Sequence, residues 1–480
     1  MLFNSTEFAI FFPVVTALYF LAPHRFRWLL LLLASCVFYM AFIPSYILIL
    51  AFTIVVDYIA GIQIERSAGT KRKWMLALSI VANVGVLGFF KYFNFIDANL
   101  AGIAARFEMH YPVHNLGLLL PIGLSFHTFQ AMSYTIEVYR GKQNAERHFG
   151  IYALYVMFYP QLVAGPIERP QNLIHQFRER HYFEYQRITS GLKLMFWGLF
   201  KKIVIADRIA ALVNPVYNQP TGYHGLPLIV ASYLFAFQIY CDFSGYSDIA
   251  IGAAQVMGFR LMQNFNAPYF AKSIAEFWKR WHISLSTWFR DYLYIPLGGN
   301  RVPVPRWYFN LFFVFLVSGL WHGANWTFVI WGALHGSYMV ASNLTKGLRA
   351  RITSLVGLDR FPRIHNALRM LVTFHLVVFG WVFFRAHSLH DAMYIITHSF
   401  QGIGSSIANF STIFNSEELA VAIVSILFLE LIHAMQRRRQ VRLWLSTKPW
   451  YYRWALYYAM ATALILFAKS DAQPFIYFQF

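Results

Sequence analysis

Charge is scarce in this chain, and cysteine scarcer still. Only 13% of its 480 residues are Asp, Glu, Lys or Arg, about half the share of an average soluble domain. The shortage excludes an ordinary water-soluble fold. The two cysteines, Cys36 and Cys241, lie in apolar or mixed segments and offer neither a disulfide framework nor metal-ligand spacing. No metal site is predicted. Phosphate-loop, HExxH, Gly-x-Ser-x-Gly and dinucleotide patterns are missing too, which leaves ATP-driven transport and serine-nucleophile hydrolysis unsupported. No repeat with a period of about 20–50 residues is visible, and no low-complexity stretch.

What is abundant is apolar and aromatic residue, 58% and 19% of the chain. Apolar windows recur at about 7–22, 27–43, 45–64, 74–96, 115–137, 149–165, 190–213, 226–256, 307–322, 325–343, 367–385, 418–435 and 453–468. Runs of this length predict an all-α, polytopic membrane protein with about 11–13 spanning segments. Residues 1–480 read as one integral domain, with re-entrant or interfacial elements near 165–187 and 268–301. No basic region or small-residue cleavage site marks the N-terminus, so Phe8 to Ala22 is expected to be a retained span. The net charge of +19 resides in short loops, at His24 to Arg27, Lys71 to Lys73, Arg140 to Arg147 and Arg437 to Arg439. Such clusters set topology near anionic lipid, and no nucleic-acid partner is expected. Alternation with the weakly charged 43–45 and 98–114 loops puts the first three basic loops in the cytoplasm and the N-terminus outside.

Ionisable groups at membrane depth cost roughly 2.5–3.5 kcal/mol each and are functional hypotheses by default. The block from Phe277 to Arg301 gathers several. Ser273-Ile-Ala-Glu276 fits a capping box ahead of it, Glu276 faces Lys279 and Arg280 at i+3 and i+4, and Pro296 and Gly298-Gly299 end it. Trp278, Trp281 and Trp288 are expected on one side of a helix at the headgroup level. His282 has Lys279, Arg280 and Arg290 near it in sequence, a cationic surround that would keep its imidazole neutral.

A second constellation is Ser318-Gly-Leu-Trp-His-Gly-Ala-Asn-Trp326. A helix is expected to break at His322 and restart at Asn325, placing an imidazole at the break. Neutral imidazole suits general-base work near neutral pH. A third, Gln238 to Asp248, carries Asp242 and Asp248 around Gly245, expected to cap two half-helices and to pair with Arg280 or Arg290. His127, Gln130 and Gln161 would need partners if buried, while His335 and His375 are expected to be packed or hydrogen-bonded core.

These segments together closely resemble the membrane-bound O-acyltransferase superfamily, and within it the bacterial branch of alginate O-acetylation membrane proteins. The carrying residues are Tyr240 to Asp248, Asn264-Phe-Asn-Ala-Pro-Tyr269, Glu276 to Trp288, Arg290 to Asn300 and Gly319-Leu-Trp-His-Gly-Ala-Asn325. Weaker support comes from Pro121 to Phe126, Ala164-Gly-Pro166, Trp381 to Arg385 and Pro474 to Phe480. The likeness runs nearly end to end.

The resemblance implies a helical core of broken or re-entrant helices around a central funnel. It implies transfer of acetyl from a cytoplasmic thioester, with acetyl-CoA as donor and no bound cofactor, across a bacterial inner membrane. A periplasmic acetyltransferase partner would carry the group to polysaccharide. His322 maps to the family's catalytic histidine and His282 lies at the same site. Trp281, Ser284, Trp288, Arg280, Arg290, Trp321, Asn325 and Asp242 would line the funnel. From their chemistry alone, Lys279, Arg280, Arg290 and Arg301 would suit CoA phosphates if they face the cytoplasm, and would equally anchor lipid headgroups. The chain ends soon after residue 470, which keeps alginate, peptidoglycan, cellulose or another exopolysaccharide open as acceptor. Two other readings stand beside this one: a non-enzymatic polysaccharide export component, and an acyltransferase using a long-chain donor.

Overall fold

The computed structural model describes all residues except 114, 115, 118, 119, 164, 440, 468–474, 479 and 480; for 443 and 478 it describes the backbone alone. Ala164, Pro474, Gln479 and Phe480, which the resemblance draws on, therefore lie outside the described residues. Among the described residues every regular element is helical, as the composition predicts. Among the described residues, five helices are long and apolar enough to cross a membrane: Pro44–Arg66, Gly69–Arg106, Leu226–Met257, Pro362–Arg385 and Ser416–Gln436. Thr6–Leu21 is a shorter apolar helix.

The chain divides into two compact units, one of Met1–Met195 with Ser247–Met262, the other of Phe196–Tyr246 with Gln263–Phe480. In the first unit the three N-terminal basic loops meet at one end. Arg72 reaches the Tyr139 carbonyl, Arg147 pairs with Glu65, and Trp28 packs edge-on to His148 at 4.6 Å. Their alternation along the sequence predicts that shared face. The polar insertions of this unit find partners as burial requires: the amides of Gln130 and Gln161 both donate to the Tyr155 carbonyl, at 2.5 and 3.1 Å.

Several boundaries differ from expectation. The 74–96 window belongs to a 38-residue helix, Gly69–Arg106. The loop expected from residue 98 is helix to Arg106, because Ala101, Ala104 and Ala105 favour helix even where hydropathy falls. The 115–137 window yields only Leu124–Tyr139, started by left-handed Gly123 at φ 76° just after Pro121. The 149–165 window breaks at Phe158, where the freed Tyr159 amide donates to Ser35 Oγ at 3.0 Å. The 190–213 window holds a π-helical stretch, Phe200–Ala206, between Tyr185–Leu199 and Asp207–Asn218.

Candidate active site

Every residue singled out from the sequence for the site lies in the second unit. His282 stands between two short helices, Ile274–Trp278 and Ile283–Phe289, and has a left-handed backbone at φ 42° and ψ 56°. That conformation costs a non-glycine residue about 1–3 kcal/mol, so the surroundings must impose it. They do so through residues 264–266, which run beside 280–283: Asn266 N donates to Arg280 O and Ile283 N to Asn264 O, both at 2.9 Å. The expected single helix carrying Trp278, Trp281 and Trp288 on one side is therefore two helices with a turn at His282. The three indoles are buried inside the unit, 9%, 1% and 5% exposed.

The same strip sets the tautomer of His282. Asn264 Oδ1 accepts from Ser284 N at 3.2 Å and from Ser284 Oγ at 2.9 Å. An atom that accepts a backbone amide is an oxygen, so His282 Nδ1, 3.2 Å from it, faces an acceptor and carries the hydrogen. The imidazole then presents a lone pair at Nε2. Burial pushes its pKa down to about 3, which keeps the ring neutral. The expected cause, a cationic surround, is corrected: Arg280 is held by Glu276 at 2.8 Å, Arg290 by Asp291 at 2.8 Å, and Lys279 is exposed. Half of the expected capping box stands, with Glu276 N donating to Ser273 Oγ at 3.1 Å, while the Glu276 carboxylate accepts from Lys272 N at 2.9 Å, one residue before the cap.

His322 is the last residue of the Val304–His322 helix, and the chain restarts at Trp326–Leu344 with Asn325 as cap, its side chain accepting from Thr327 N at 3.0 Å. The break predicted from the sequence is there. Glycines bring the two helices together: a Cβ on Gly319 would overlap the Phe328 carbonyl, and one on Gly332 would lie 3.1 Å from Gly319 Cα. A Cβ on Gly323 would likewise overlap the Phe328 ring. The His322 ring, 4% exposed, is walled by Trp321 and Trp331 at 4.9 Å, Phe384 at 5.3 Å and Tyr477 at 5.7 Å. Trp321 also lies 6.2 Å from the His282 ring. One indole thus touches both imidazoles.

The other expected site residues divide. Ser284 and Trp321 join the two histidines. Asn325 is drawn to His387, donating to its carbonyl at 3.0 Å. Trp281 packs into an aromatic core against Phe277 at 5.5 Å and Trp381 at 5.0 Å, and Trp288 packs against Tyr292 at 5.1 Å. Asp242 neither caps a half-helix nor pairs with an arginine: Leu226–Met257 is continuous, and Lys202 Nζ lies 2.6 Å from Asp242 Oδ1. Gly245, expected to help break that helix, is a packing contact, where a Cβ would sit 2.8 Å from the Gly198 carbonyl. His335 is hydrogen-bonded core, accepting from Trp278 Nε1 at 3.3 Å. His375 is exposed and bonds the Leu371 carbonyl at 2.7 Å, a correction to its expected burial.

Three residues of evident importance here escaped selection from the sequence. Asn264 and Tyr477 sit in motifs that carry the resemblance, and Lys202 is the second of two adjacent lysines in an apolar run. Among the described residues no group of three or more His, Cys, Asp or Glu side chains is gathered as metal ligands. Chemically, the site offers two buried imidazoles, one with a fixed tautomer, in an aromatic enclosure that would exclude water.

Residues 16–388 match the family described as MBOAT, membrane-bound O-acyltransferase family. The chain is 43% identical over 410 residues to a probable alginate O-acetylase of Pseudomonas aeruginosa, covering 83% of this chain and 75% of that one. The homologous probable alginate O-acetylase of Pseudomonas putida is 38% identical over the full length of both. A peptidoglycan O-acetyltransferase of Helicobacter pylori is 37% identical over 82% of this chain and 79% of its own.

Proposed function

This chain belongs to the membrane-bound O-acyltransferase family, and from that membership we propose that it is the membrane component of a polysaccharide O-acetylation system. It is an O-acyltransferase. In the proposal it sits in a bacterial inner membrane, takes acetyl from cytoplasmic acetyl-CoA, and passes it across for O-acetylation of alginate or a similar exopolysaccharide. A periplasmic acetyltransferase is the proposed partner that completes delivery. The names of the Pseudomonas relatives support this acceptor, and the Helicobacter relative supports peptidoglycan as the second reading.

The observation that carries the chemistry is the enclosure of His322 and His282 against one indole, Trp321. His322 takes the proton of the attacking hydroxyl as its oxygen adds to the thioester carbonyl. The C–S bond then breaks, and the proton passes to the leaving thiolate, giving ester and free thiol. His282 holds its hydrogen on Nδ1 toward Asn264, so its Nε2 accepts and orients a donor. Polarising the carbonyl falls to a different hydrogen-bond donor.

Replacing His322 with Gln and measuring polymer O-acetylation in cells, alongside turnover of labelled acetyl-CoA by purified protein, tests the reading. Acetylation is expected to disappear at normal protein level. Undiminished acetylation would remove His322 from the chemistry, and exclusive use of palmitoyl-CoA over acetyl-CoA would remove the acetyl donor.

A further inference from the structure

A buried ion group in the second unit is used by no step above. Lys202, on the π-helical stretch Phe200–Ala206, lies 2.8 Å from Asp207 Oδ1 and 2.6 Å from Asp242 Oδ1. The three side chains belong to residues 1%, 5% and 3% exposed. Two carboxyl groups share one buried ammonium, an arrangement that apolar residues of similar volume commonly match or exceed in stability. Asp242 has a further partner that does not come from its own neighbourhood. The backbone N–H of Ile476, 234 positions away, donates to Asp242 Oδ2 at 2.6 Å.

That bond seats the segment bearing Tyr477. Phe475 and Ile476 are 0% and 2% exposed, with the Phe475 ring 4.5 Å from Tyr246. Tyr477 packs 4.8 Å from Phe243 and 5.7 Å from His322. Phe243 itself meets His282 edge-on at 4.6 Å. Two consecutive residues of a single helix therefore serve the segment, Asp242 to hold its backbone and Phe243 to pack against both Tyr477 and His282.

We propose that Lys202 and Asp242 are positioning residues for acyl transfer: by holding the Ile476 amide they seat Tyr477 as a wall of the His322 site. The proposal rests on the acyl-transfer reading of His322. Neither residue touches the reacting atoms. Lys202 fixes the Asp242 carboxylate, and Asp242 fixes the backbone of Ile476.

A double-mutant cycle tests it. Asp242→Asn keeps the shape and an acceptor oxygen but loses the ion pair; the second change removes residues 475–480. Each alone is expected to lower kcat by about tenfold or more through misplacement at the site, with KM little altered. The two together should be no worse than the removal alone, because the carboxylate then has nothing left to hold. Hydrogen exchange at the Ile476 amide should quicken by about tenfold or more in Asp242→Asn. Lys202→Met, which removes the other end of the pair, should do the same if Asp242→Asn fails to fold. Additive losses in kcat, or Ile476 exchange unchanged in a folded variant, would overturn the proposal. If the unaltered protein transfers no acyl group, the proposed function falls, while the exchange comparison still decides whether the ion pair holds the segment.

Discussion

The side-chain oxygen of Asn264 lies 3.2 Å from Nδ1 of His282, and the Ser284 amide donates to the same oxygen. The pair therefore fixes which nitrogen of a buried imidazole carries the hydrogen. A neutral histidine without such a partner would divide between two tautomers, only one of which leaves Nε2 as acceptor.

Changing Asn264 should act through His282. Asn264→Leu removes the acceptor, and acyl transfer is expected to fall by about 10²-fold, part of the 10⁴ that a wrong tautomer costs in the Ser-His-Asp case. His282→Asn is the complementary variant. Asparagine tolerates the left-handed backbone and can donate to Asn264, but it has no counterpart of Nε2. It should fold normally and lose acyl transfer. Steady-state rates with labelled acetyl-CoA, together with thermal melts, separate the two effects. Normal turnover in folded His282→Asn would remove Nε2 from the reaction.

The buried His282 also makes a pH prediction. Its folded pKa, about 3, is depressed from the ordinary 6.5 by burial, so the unfolded chain binds its proton first. The stability this neutral ring contributes is present above pH 6.5 and lost as pH falls toward 3, by about 1.4 kcal/mol per unit. Between pH 7 and pH 5 the loss from this residue is roughly 2 kcal/mol. Denaturant unfolding of the purified protein should therefore show a smaller acid loss in His282→Asn than in the parent, by that amount. Equal acid losses would mean that His282 is solvated or paired differently.

The turn at His282 shows where reading the sequence stops. Ser273, Glu276 and Arg280 are legible because caps and i+4 pairs are local, and the break after His322 is legible from Gly323 and Asn325. The left-handed backbone at His282 is imposed by Asn264 across 18 positions of sequence, and periodicity carries no trace of it. Lys202 and Asp242 meet across an even longer separation, and nothing local in the sequence pairs the one with the other. The helix to Arg106 was hidden for the opposite reason. Its last turns, 98–106, are interrupted by Asn99, Gly102 and Arg106, which resembles the start of a loop, while their alanines keep the backbone helical.

The exposed arginines should behave differently from the buried groups. Arg290 pairs with Asp291 on a side chain 59% exposed, and such pairs contribute about 0–1 kcal/mol. Arg290→Gln should leave the melting temperature almost unchanged. If the residue meets the phosphates of the donor, as its charge suggests from the sequence, KM for acetyl-CoA should rise by about tenfold with kcat unaltered, the effect of one lost charged hydrogen bond. An unchanged KM would return Arg290 to the role of a solvated surface charge.

The crossing of Val304–His322 with Trp326–Leu344 should be intolerant of a single methyl group. Gly319 faces Gly332, and a Cβ on either overlaps backbone oxygen of the other helix, Phe328 from Gly319 and Phe315 from Gly332. Backbone cannot rotate aside as a side chain does. Gly319→Ala or Gly332→Ala is therefore expected to cost about 1–3 kcal/mol by overpacking. Because Gly319 lies one turn before His322, Gly319→Ala should also reduce acyl transfer in whatever fraction remains folded. Gly347→Ala is the comparison: a Cβ there meets nothing within 4 Å, and it lies at the start of the Lys346–Leu355 helix. That variant should match or slightly exceed the parent in thermal stability, since alanine favours helix. If Gly319→Ala melts with the parent and keeps its rate, the close helix crossing is not what holds His322 in place.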